Sequence, residues 1–410
     1  MADLVVDLYG TRVGALAVDS RTFDFESSRE AVEAFGIDSP VLSVAIPLTV
    51  VSTRARKERR RNFFRELLPE GRMLRRLARE ARLAEQDTIG LIRRYGRDVA
   101  GALQIWDPGV PGEPREPRLE PLTTAGVARL LTSVQDYPLG NAPNGGKSSL
   151  AGVQDKIVLV RDASGWSQAL DGHPTTHILK PPSREHPTVI YDEEYGSRFT
   201  RAAGLAAFDV RIDEFDGHPA AVIERYDRSP SAPQGRIHQE DFNQVLGESG
   251  DQKYQRYGGT ASLARVAKVV AEYVGPAALE RLLRMVVLSV AVGNLDMHAK
   301  NIALLHHPDG EIALAPAYDF VPQVHQRNDG ELALAVDGEF RHAAITRSHL
   351  TREGMAWGVE EAEEIVVELL VLTEEVVANE EPHPGAYRGL ANDISRFVSN
   401  LRAGRAAGDT

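Results

Sequence analysis

The stretch GNLDMHAKN, residues 293–301, limits what this chain can fold into more than any other. Asp296 and Asn301 stand five positions apart inside it, and Asp319 follows in the downstream run AYDF. Between them, NIALLHHPDGEIALAP alternates apolar residues on either side of Pro308-Asp309-Gly310, which predicts a short hairpin over 302–315. Such a hairpin folds Asp319 back toward Asn301. Ahead of the stretch, AALERLLRMVVLSVAVGN has the apolar density of a buried helix. Helix, tight polar loop and returning hairpin must therefore follow one another directly.

That order has a chemical reading. The Asp-to-Asn spacing is that of a kinase catalytic loop. There an aspartate reaches the acceptor hydroxyl, orients it and takes its proton, and an asparagine one tight loop later offers a neutral carbonyl oxygen to magnesium. A second carboxylate, the part that Asp319 fits, binds metal between the β- and γ-phosphates, since Mg2+ takes hard oxygen ligands together with phosphates and water. Any one of Asp296, Asn301 or Asp319 alone reads as a turn or cap residue; the ordered set carries the argument. His298, His306 and His307 beside Asp296 raise a transition-metal site as an alternative. Against it, His306 and His307 are expected at a solvated hairpin end.

Upstream, NGGKSSLAGVQDKIVLV, residues 144–160, invites comparison with a phosphate-cradling Walker loop. The fit fails. Five residues rather than four separate Gly140 from Gly146-Lys147, a strand-like run follows where a helix is needed, and no clear strand precedes. Lys147 alone is an ordinary loop lysine. A glycine-bearing loop ahead of a strand can still cover phosphates as in a kinase N-lobe, with Gly152 letting backbone amides approach. THILKPP then ends a strand at Lys180, where kinases set a lysine on the α- and β-phosphates, and Glu194 in DEEYGSRF could orient it from the following helix.

The rest of the chain supplies the frame. Residues 3–50 alternate in the strand manner, LVVDLYGTRVGALAVD reading as two strands joined at Gly10-Thr11 and VLSVAIPL as another. Helices are expected from about Asn62 over NFFRELL, GRMLRRLAREARLA and DTIGLIRRYG, the last capped by Asp87. The Pro/Gly-rich residues 107–121 are the clearest linker. A helix over 124–132, strands near 156–161 and 175–180, a helix across YDEEYGSRFTRAAGL and strands near 208–213 and 219–225 follow. From about His238 the pattern is mostly helical, ending in helices over 359–378 and 386–403. This predicts an α+β chain: a small strand-plus-helix N-terminal domain (1–107), a linker (108–120), a strand-rich kinase-like N-lobe (121–236) and a helical C-lobe (237–410). A bilobal layout of this kind suits a nucleotide bound between lobes.

Composition excludes several classes. With no cysteine, disulfide frameworks, thiolate catalysis and Cys-ligated zinc are ruled out. A formal charge of -12 argues against a general nucleic-acid or membrane coat. MADLVVDLYG has neither a positive n-region nor a long apolar core, and no run approaches the roughly 18 apolar residues of a spanning helix. A soluble, cytoplasmic protein is expected. One run stands apart: residues 54–82 hold twelve Arg or Lys against four Glu. It reads either as a solvated helix face with i,i+4 pairs or as a docking face for an acidic partner or DNA phosphates.

SSLAGVQDK, HILKPP, ERYDR, IHQEDF, GNLDMHAKN and AYDFVP, in this order from Ser148 to Pro322, resemble the HipA family of serine/threonine-protein kinase toxins. LSVAIPL and LLPEG resemble that family's N-terminal domain, so the resemblance covers nearly the whole chain. It implies a kinase that uses ATP and Mg2+, with Asp296 as proton acceptor and Asn301 and Asp319 holding magnesium. By resemblance Ala151, Gly152, Val153, Gln154, Asp155 and Lys156 form the phosphate loop, and Lys180 contacts the phosphates. Glu224, Arg225 and Tyr226 fall where the family's hinge meets adenine. His298, Ala299, Lys300 and Asn301 complete the nucleotide pocket with Tyr318 and Asp319. Ser149 falls at the family's inhibitory autophosphorylation site, with Ser148 beside it as the alternative. A phosphate there, at about -2 charge, would repel ATP and pull the loop out. The resemblance further implies a type II toxin–antitoxin pair, a helix-turn-helix antitoxin dimer through which DNA is met only indirectly, and a protein substrate such as an aminoacyl-tRNA synthetase. A small-molecule kinase, or an antitoxin-held corepressor in which catalysis is incidental, stay open as other readings.

Overall fold

The computed structural model describes residues 3–19, 22–141, 146–256 and 258–410; Asn144 and Gly145 of the glycine-bearing run lie outside them. Two compact units form. The first comprises Met1–Pro181, Asp213–Gly250 and Leu305–Glu311, and the second Pro182–Ile212, Asp251–Leu304 and Ile312–Thr410.

The first unit opens on β1 (Leu4–Leu8), β2 (Thr11–Asp19) and β3 (Thr22–Ser27), an antiparallel meander. Tyr9 and Gly10 turn the first hairpin, both at positive φ (54° and 80°), as a tight two-residue turn requires. Helix α1 (Arg29–Phe35) follows, capped by Ser28, whose side chain accepts from the Ala31 N–H. It lies inside the stretch expected to be all strand. The strand expected over VLSVAIPL is also absent: residues 41–48 run irregularly, though largely buried. Pro40 and Pro47 cannot donate to a ladder. A side chain takes over instead, because the Ser43 hydroxyl and the Val44 N–H both donate to the buried Glu240 carboxylate. The helices α2 (Lys57–Arg65), α3 (Gly71–Ala81) and α4 (Thr88–Tyr95) come as expected, and Asp87 caps the last by accepting from the Gly90 N–H. β4 (Leu103–Trp106) completes a sheet of order β3-β2-β1-β4. Leu4, Leu8, Leu16, Phe25, Phe63, Phe64 and Tyr95 fill its core.

A second sheet starts with β5 (Arg118–Leu122), formed by the end of the Pro/Gly-rich stretch, then α5 (Thr124–Thr132), β6 (Ile157–Asp162), β7 (Gly165–Leu170) and β8 (His177–Lys180). Helix α6 (Val189–Ala202) belongs to the second unit. After it come β9 (Val210–Phe215) and β10 (His218–Glu224), giving the order β5-β7-β6-β8-β10-β9. β11 (His238–Asp241) leads into α7 (Phe242–Leu246) through a capping box of Asp241 and Gln244.

The second unit is mainly helical. α8 (Leu263–Tyr273) and α9 (Ala277–Val292) precede the polar loop; β12 (Ala303–His306) and β13 (Ile312–Leu314) make the expected hairpin. β14 (Glu331–Val336), β15 (Glu339–Arg341) and α10 (Arg347–Ala356) follow, then the long α11 (Ala362–Asn379) and α12 (Leu390–Arg402). α9 is buried from Met285 through Val292 and packs on α8, α10, α11 and α12. The α+β class read from the sequence holds. No helix among the described residues is long and apolar enough to cross a membrane.

Candidate active site

The residues singled out from the sequence fall into two groups, one in each unit. In the second unit, α9 stops at Gly293 (φ 75°), where the Asn294 N–H reaches back to the Ser289 carbonyl at 2.8 Å. A Cβ at Gly293 would stand 2.7 Å from the Val324 side chain. The chain then tightens on itself. The Asp296 N–H donates to Asn294 Oδ1 (3.1 Å), and the His298 N–H donates to the Asp296 carbonyl (2.8 Å). A 3-10 turn over Ala299–Asn301 brings Asn301 Nδ2 to the same carbonyl at 2.7 Å. Asn301 is thereby fixed through its amide nitrogen.

The Asp296 side chain is 38% exposed, open enough to meet a substrate. The Tyr254 hydroxyl donates to its Oδ1 (3.2 Å), and His298 Nε2 stands 3.9 Å from its Oδ2. Tyr254 also packs edge-on against the His298 ring, centroids 5.2 Å apart. Ala299, Lys300 and Asn301 are buried.

Asp319 is exposed and sits at positive φ (52°), a conformation in which a short polar side chain is tolerated. Its neighbours are held on every side. The Tyr318 hydroxyl donates to the Lys300 carbonyl (2.7 Å), and the Gln323 N–H donates to the Gly293 carbonyl (2.8 Å). On α6, a Cβ at Gly196 would fall 2.1 Å from the Phe320 carbonyl oxygen. Further along, His325 Nε2 stands 3.2 Å from Asp192 Oδ2, and the Asp192 carboxylate accepts from the Thr188 hydroxyl (2.7 Å) and the Tyr387 N–H (2.9 Å). Glu194, expected to orient Lys180, is engaged by Arg198 of its own helix at 2.8 and 2.9 Å.

Among the described residues, no group of three or more His, Asp or Glu is placed to hold a metal unaided. His306 is not at a solvated turn: it is buried, and its Nε2 meets Glu240 at 2.9 Å. The strand register of β12 and the carboxylate waiting beneath it draw the ring inward. The Asn301 oxygen and the Asp319 carboxylate are a donor set suited to Mg2+ shared with phosphate oxygens and water.

In the first unit, the loop over 148–156 runs straight into β6. The Ser149 hydroxyl is buried and donates to the Leu67 carbonyl (2.8 Å), while the Ser149 N–H donates to the Asp98 carbonyl (2.9 Å). The Ser148 hydroxyl donates to the Asp98 carboxylate (3.1 Å). Gly152 lies at φ 106°, and a Cβ there would stand 2.7 Å from Lys156 Nζ, which donates to the Ala151 carbonyl at 2.7 Å. Val153 is exposed, Asp155 pairs with Arg76, and the Gln154 side chain buries an amide nitrogen that has no hydrogen-bond partner among the described residues. Register ties the loop's strand to the others: Ile157 of β6 faces Leu179 of β8, and Lys180 of β8 faces Ala221 of β10. Lys180 is buried.

β10 ends at Glu224, which is exposed, and Tyr226 is half-buried. Arg225 points elsewhere. Its guanidinium enters a buried cluster, bonding Asp227 (2.9 and 2.7 Å), the Thr175 hydroxyl (2.9 Å) and the Val99 carbonyl (3.0 Å), and the Arg225 N–H donates to the Thr176 carbonyl (2.9 Å), so the side chain does not serve a ligand. Arg228 joins Asp227 (2.9 Å) to Asp98 (2.9 Å). Burial alone would raise both carboxyls, but Arg228 and Arg225, joined at Asp98 by Arg236, outweigh it and hold them below the usual carboxylate range. Arg225, Asp227 and Arg228 of ERYDR thus fasten this segment to Asp98, Val99 and Gly101. Sequence reasoning missed Asp98, Tyr254 and the Asp192–His325 pair; each acts on a partner far away along the chain, and no local pattern marks it.

The basic run divides in two. Arg60 is buried against Asp24 (2.6 Å), Arg61 donates to the Phe23 carbonyl (2.8 Å), and Arg76 meets Asp155. Arg54, Arg56, Arg59, Arg65, Arg75, Arg79 and Arg82 are exposed.

Comparison with known proteins agrees with this anatomy. The family profile of the HipA-like C-terminal domain matches residues 148–377, and that of the HipA N-terminal domain matches residues 4–106. Y4mE, a candidate kinase of Sinorhizobium fredii, is 35% identical over 276 residues, 64% of this chain and 64% of that protein. The serine/threonine-protein kinase toxin HipA of Shewanella oneidensis is 28% identical over 295 residues, 68% of this chain and 66% of that protein. The aligned stretch therefore spans just under two thirds of the length of both relatives. The solved structure of Shewanella oneidensis HipA with HipB and operator DNA shares the fold, with a TM-score of 0.75 at 24% identity over 98% of this chain and 96% of that one. With its N-terminal and C-terminal regions each matched by their own profile, the chain belongs to the HipA family.

Proposed function

We propose that this chain is an ATP- and Mg2+-dependent protein serine/threonine kinase, the growth-arresting toxin of a type II toxin–antitoxin pair. The observation that carries the reading is the loop from Asp296 to Asn301, closed on the Asp296 carbonyl so that one carboxylate and one amide oxygen remain for chemistry. ATP is the substrate that the first group of residues serves. Backbone amides of the loop from Ala151 to Lys156, with Lys180, take its phosphates, and the orphaned Gln154 amide gains an acceptor there. Glu224, Arg225 and Tyr226 fall where the family meets adenine, and His298, Ala299, Lys300 and Tyr318 are the second unit's nucleotide residues on the same resemblance.

Asp296 accepts the proton of a serine or threonine hydroxyl as that oxygen bonds to the γ-phosphorus and the bond to the β–γ bridging oxygen breaks. ADP leaves, and the proton stays on the Asp296 carboxyl. The Tyr254 hydroxyl holds the carboxylate in one orientation for this step. When bound, Mg2+ on Asn301 and Asp319 supplies the positive charge that offsets the β- and γ-phosphate oxygens.

Ser149 is the self-inactivation site. Its hydroxyl is buried on the Leu67 carbonyl, so it can accept phosphate only after the loop leaves its seat. That seat offers the Leu67 and Asp98 carbonyls, with the Asp98 carboxylate one residue away at Ser148. All are acceptors, and a phosphate of about -2 charge is repelled from them. The loop then stays out. A helix-turn-helix antitoxin dimer is the partner, DNA is met through it, and a cytoplasmic translation component such as an aminoacyl-tRNA synthetase is the substrate class. In bacteria, wild-type protein is expected to arrest growth and to leave a phosphorylated protein that Asp296→Asn does not. Arrest by Asp296→Asn, or a phosphorylated small molecule as the sole product, would refute the reading.

A further inference from the structure

The phosphate loop is held from outside its own sheet. Three contacts join it to α3 and to the connection that precedes it. The Ser149 hydroxyl donates to the Leu67 carbonyl (2.8 Å), Gly71 faces Val153 so that a Cβ there would lie 3.6 Å from its Cγ1, and the Arg76 guanidinium pairs with the Asp155 carboxylate. Arg76 is itself well placed to hold. Met73, Leu77 and Ala78 bury the core face of α3 around it, so the arginine projects from a fixed helix. The pair is shielded on both sides, with side chains 15% and 29% exposed.

The remaining ties lie elsewhere in the loop. Ser148 and Ser149 are fastened to Asp98 at its root, and Lys156 bonds internally to Ala151. Val153, midway along, is 54% exposed. Besides its continuation into β6 and the Lys156–Ala151 bond, the loop is therefore tied to its surroundings through 148–149 and through Asp155. Releasing Asp155 removes the side-chain tie to α3 and loosens the span between 148–149 and β6.

From this geometry we infer that Arg76 is a positioning residue for the phosphate loop, the release point of a clasp through which the N-terminal region sets how often Ser149 leaves its buried seat. The clasp depends only on the contacts above; its consequence for nucleotide and for self-phosphorylation rests on the kinase reading.

Hydrogen–deuterium exchange of the full chain without nucleotide tests the clasp directly. In Arg76→Ala, amides of 149–156 are expected to exchange about threefold to fivefold faster than in the wild type, the factor that a partly shielded ion pair supports. The charge swap Arg76→Asp with Asp155→Arg is expected to bring the rate back toward wild type. Asp155→Asn gives the same acceleration from the loop side and keeps the test open if Arg76→Ala does not fold. With Mg-ATP added, Arg76→Ala is expected to gain phosphate at Ser149 faster and to bind ATP about threefold more weakly. Unchanged exchange in folded Arg76→Ala or Asp155→Asn would overturn the clasp whatever the kinase assays show. Faster exchange with no phosphate on any variant would leave the clasp standing and remove self-phosphorylation at Ser149.

Discussion

Tyr254 and His238 show what single side chains contribute here. Tyr254 touches Asp296 through one hydrogen bond to a carboxylate, a kind of contact worth about 1.5–3 kcal/mol. It orients the proton acceptor without touching nucleotide in the proposed scheme. Tyr254→Phe is therefore expected to lower kcat about tenfold and leave the KM for ATP nearly unchanged, as steady-state kinetics would show. An equal change in KM would mean that the hydroxyl binds substrate instead. His238 concerns stability. It is fully buried, accepts from the Ala102 N–H at Nδ1 (3.4 Å) and donates from Nε2 to the Leu42 carbonyl (2.8 Å), with the His306 ring, 5.6 Å away, and Asp227 as its charged or titratable neighbours. Burial, then the neighbouring His306, push its pKa down to about 3. Because the folded value lies below the unfolded one, the native state binds fewer protons, and this part of the stability is complete above about pH 6.5 and lost as the pH falls toward about 3. Urea unfolding at pH 7.5 and 5.5 is expected to show that, on going to the lower pH, the wild type loses about 1.4 kcal/mol relative to His238→Gln. Equal losses in both proteins would place the proton elsewhere.

At the scale of elements, the second unit is built around the return of the chain after α9. Gly293 ends the helix, the polar loop closes on the Asp296 carbonyl, β12 and β13 turn back, and the Asp319 segment is pinned between Gly293 and α6. Gly196 is the tightest point of that arrangement. Gly196→Ala would press a methyl onto the Phe320 carbonyl, and overpacking of this kind costs about 1–3 kcal/mol. The segment is expected to shift and move Asp319, so the variant should need several-fold more Mg2+ for half-maximal phosphate incorporation, read from a magnesium titration. An unaltered titration would show that Asp319 is positioned by other contacts. Much of this element order was legible in the sequence, because apolar period, caps and turns are local signals: Asp87 caps α4, Pro308-Asp309-Gly310 turns the hairpin, and α9 leads into the loop. Residues 41–48 were not legible as coil, because the partner that replaces a strand for them, Glu240, lies nearly two hundred positions away. His306 was misplaced for the same reason. Asp98 and the Asp192–His325 pair likewise have no neighbourhood that announces them. ERYDR was noticed, but as a nucleotide hinge; that two of its arginines and its aspartate bind the N-terminal region required the cluster to be seen.

For the molecule as a whole, the two groups of site residues divide the labour of the proposed reaction. The first unit holds the loop over 148–156, Lys180 and residues 224–226, and the second holds Asp296, Asn301 and Asp319. The chain's net charge of -12 leaves the exposed arginines of α2 and α3 as a local exception. Reversing Arg75 and Arg79 to Glu is expected to weaken binding to the antitoxin–operator complex at low salt, with the difference shrinking as salt rises. Affinity that does not change at low salt would make that face a solvated surface. The central claim, that this chain transfers phosphate from ATP, is tested most directly by intact-mass analysis of purified wild type and Asp296→Asn after incubation with Mg-ATP. One added phosphate on the wild type alone, mapped to Ser149 or Ser148, is the expected result. Phosphate on Asp296→Asn as well as on the wild type would contradict the role given to Asp296, and none on either would contradict self-phosphorylation.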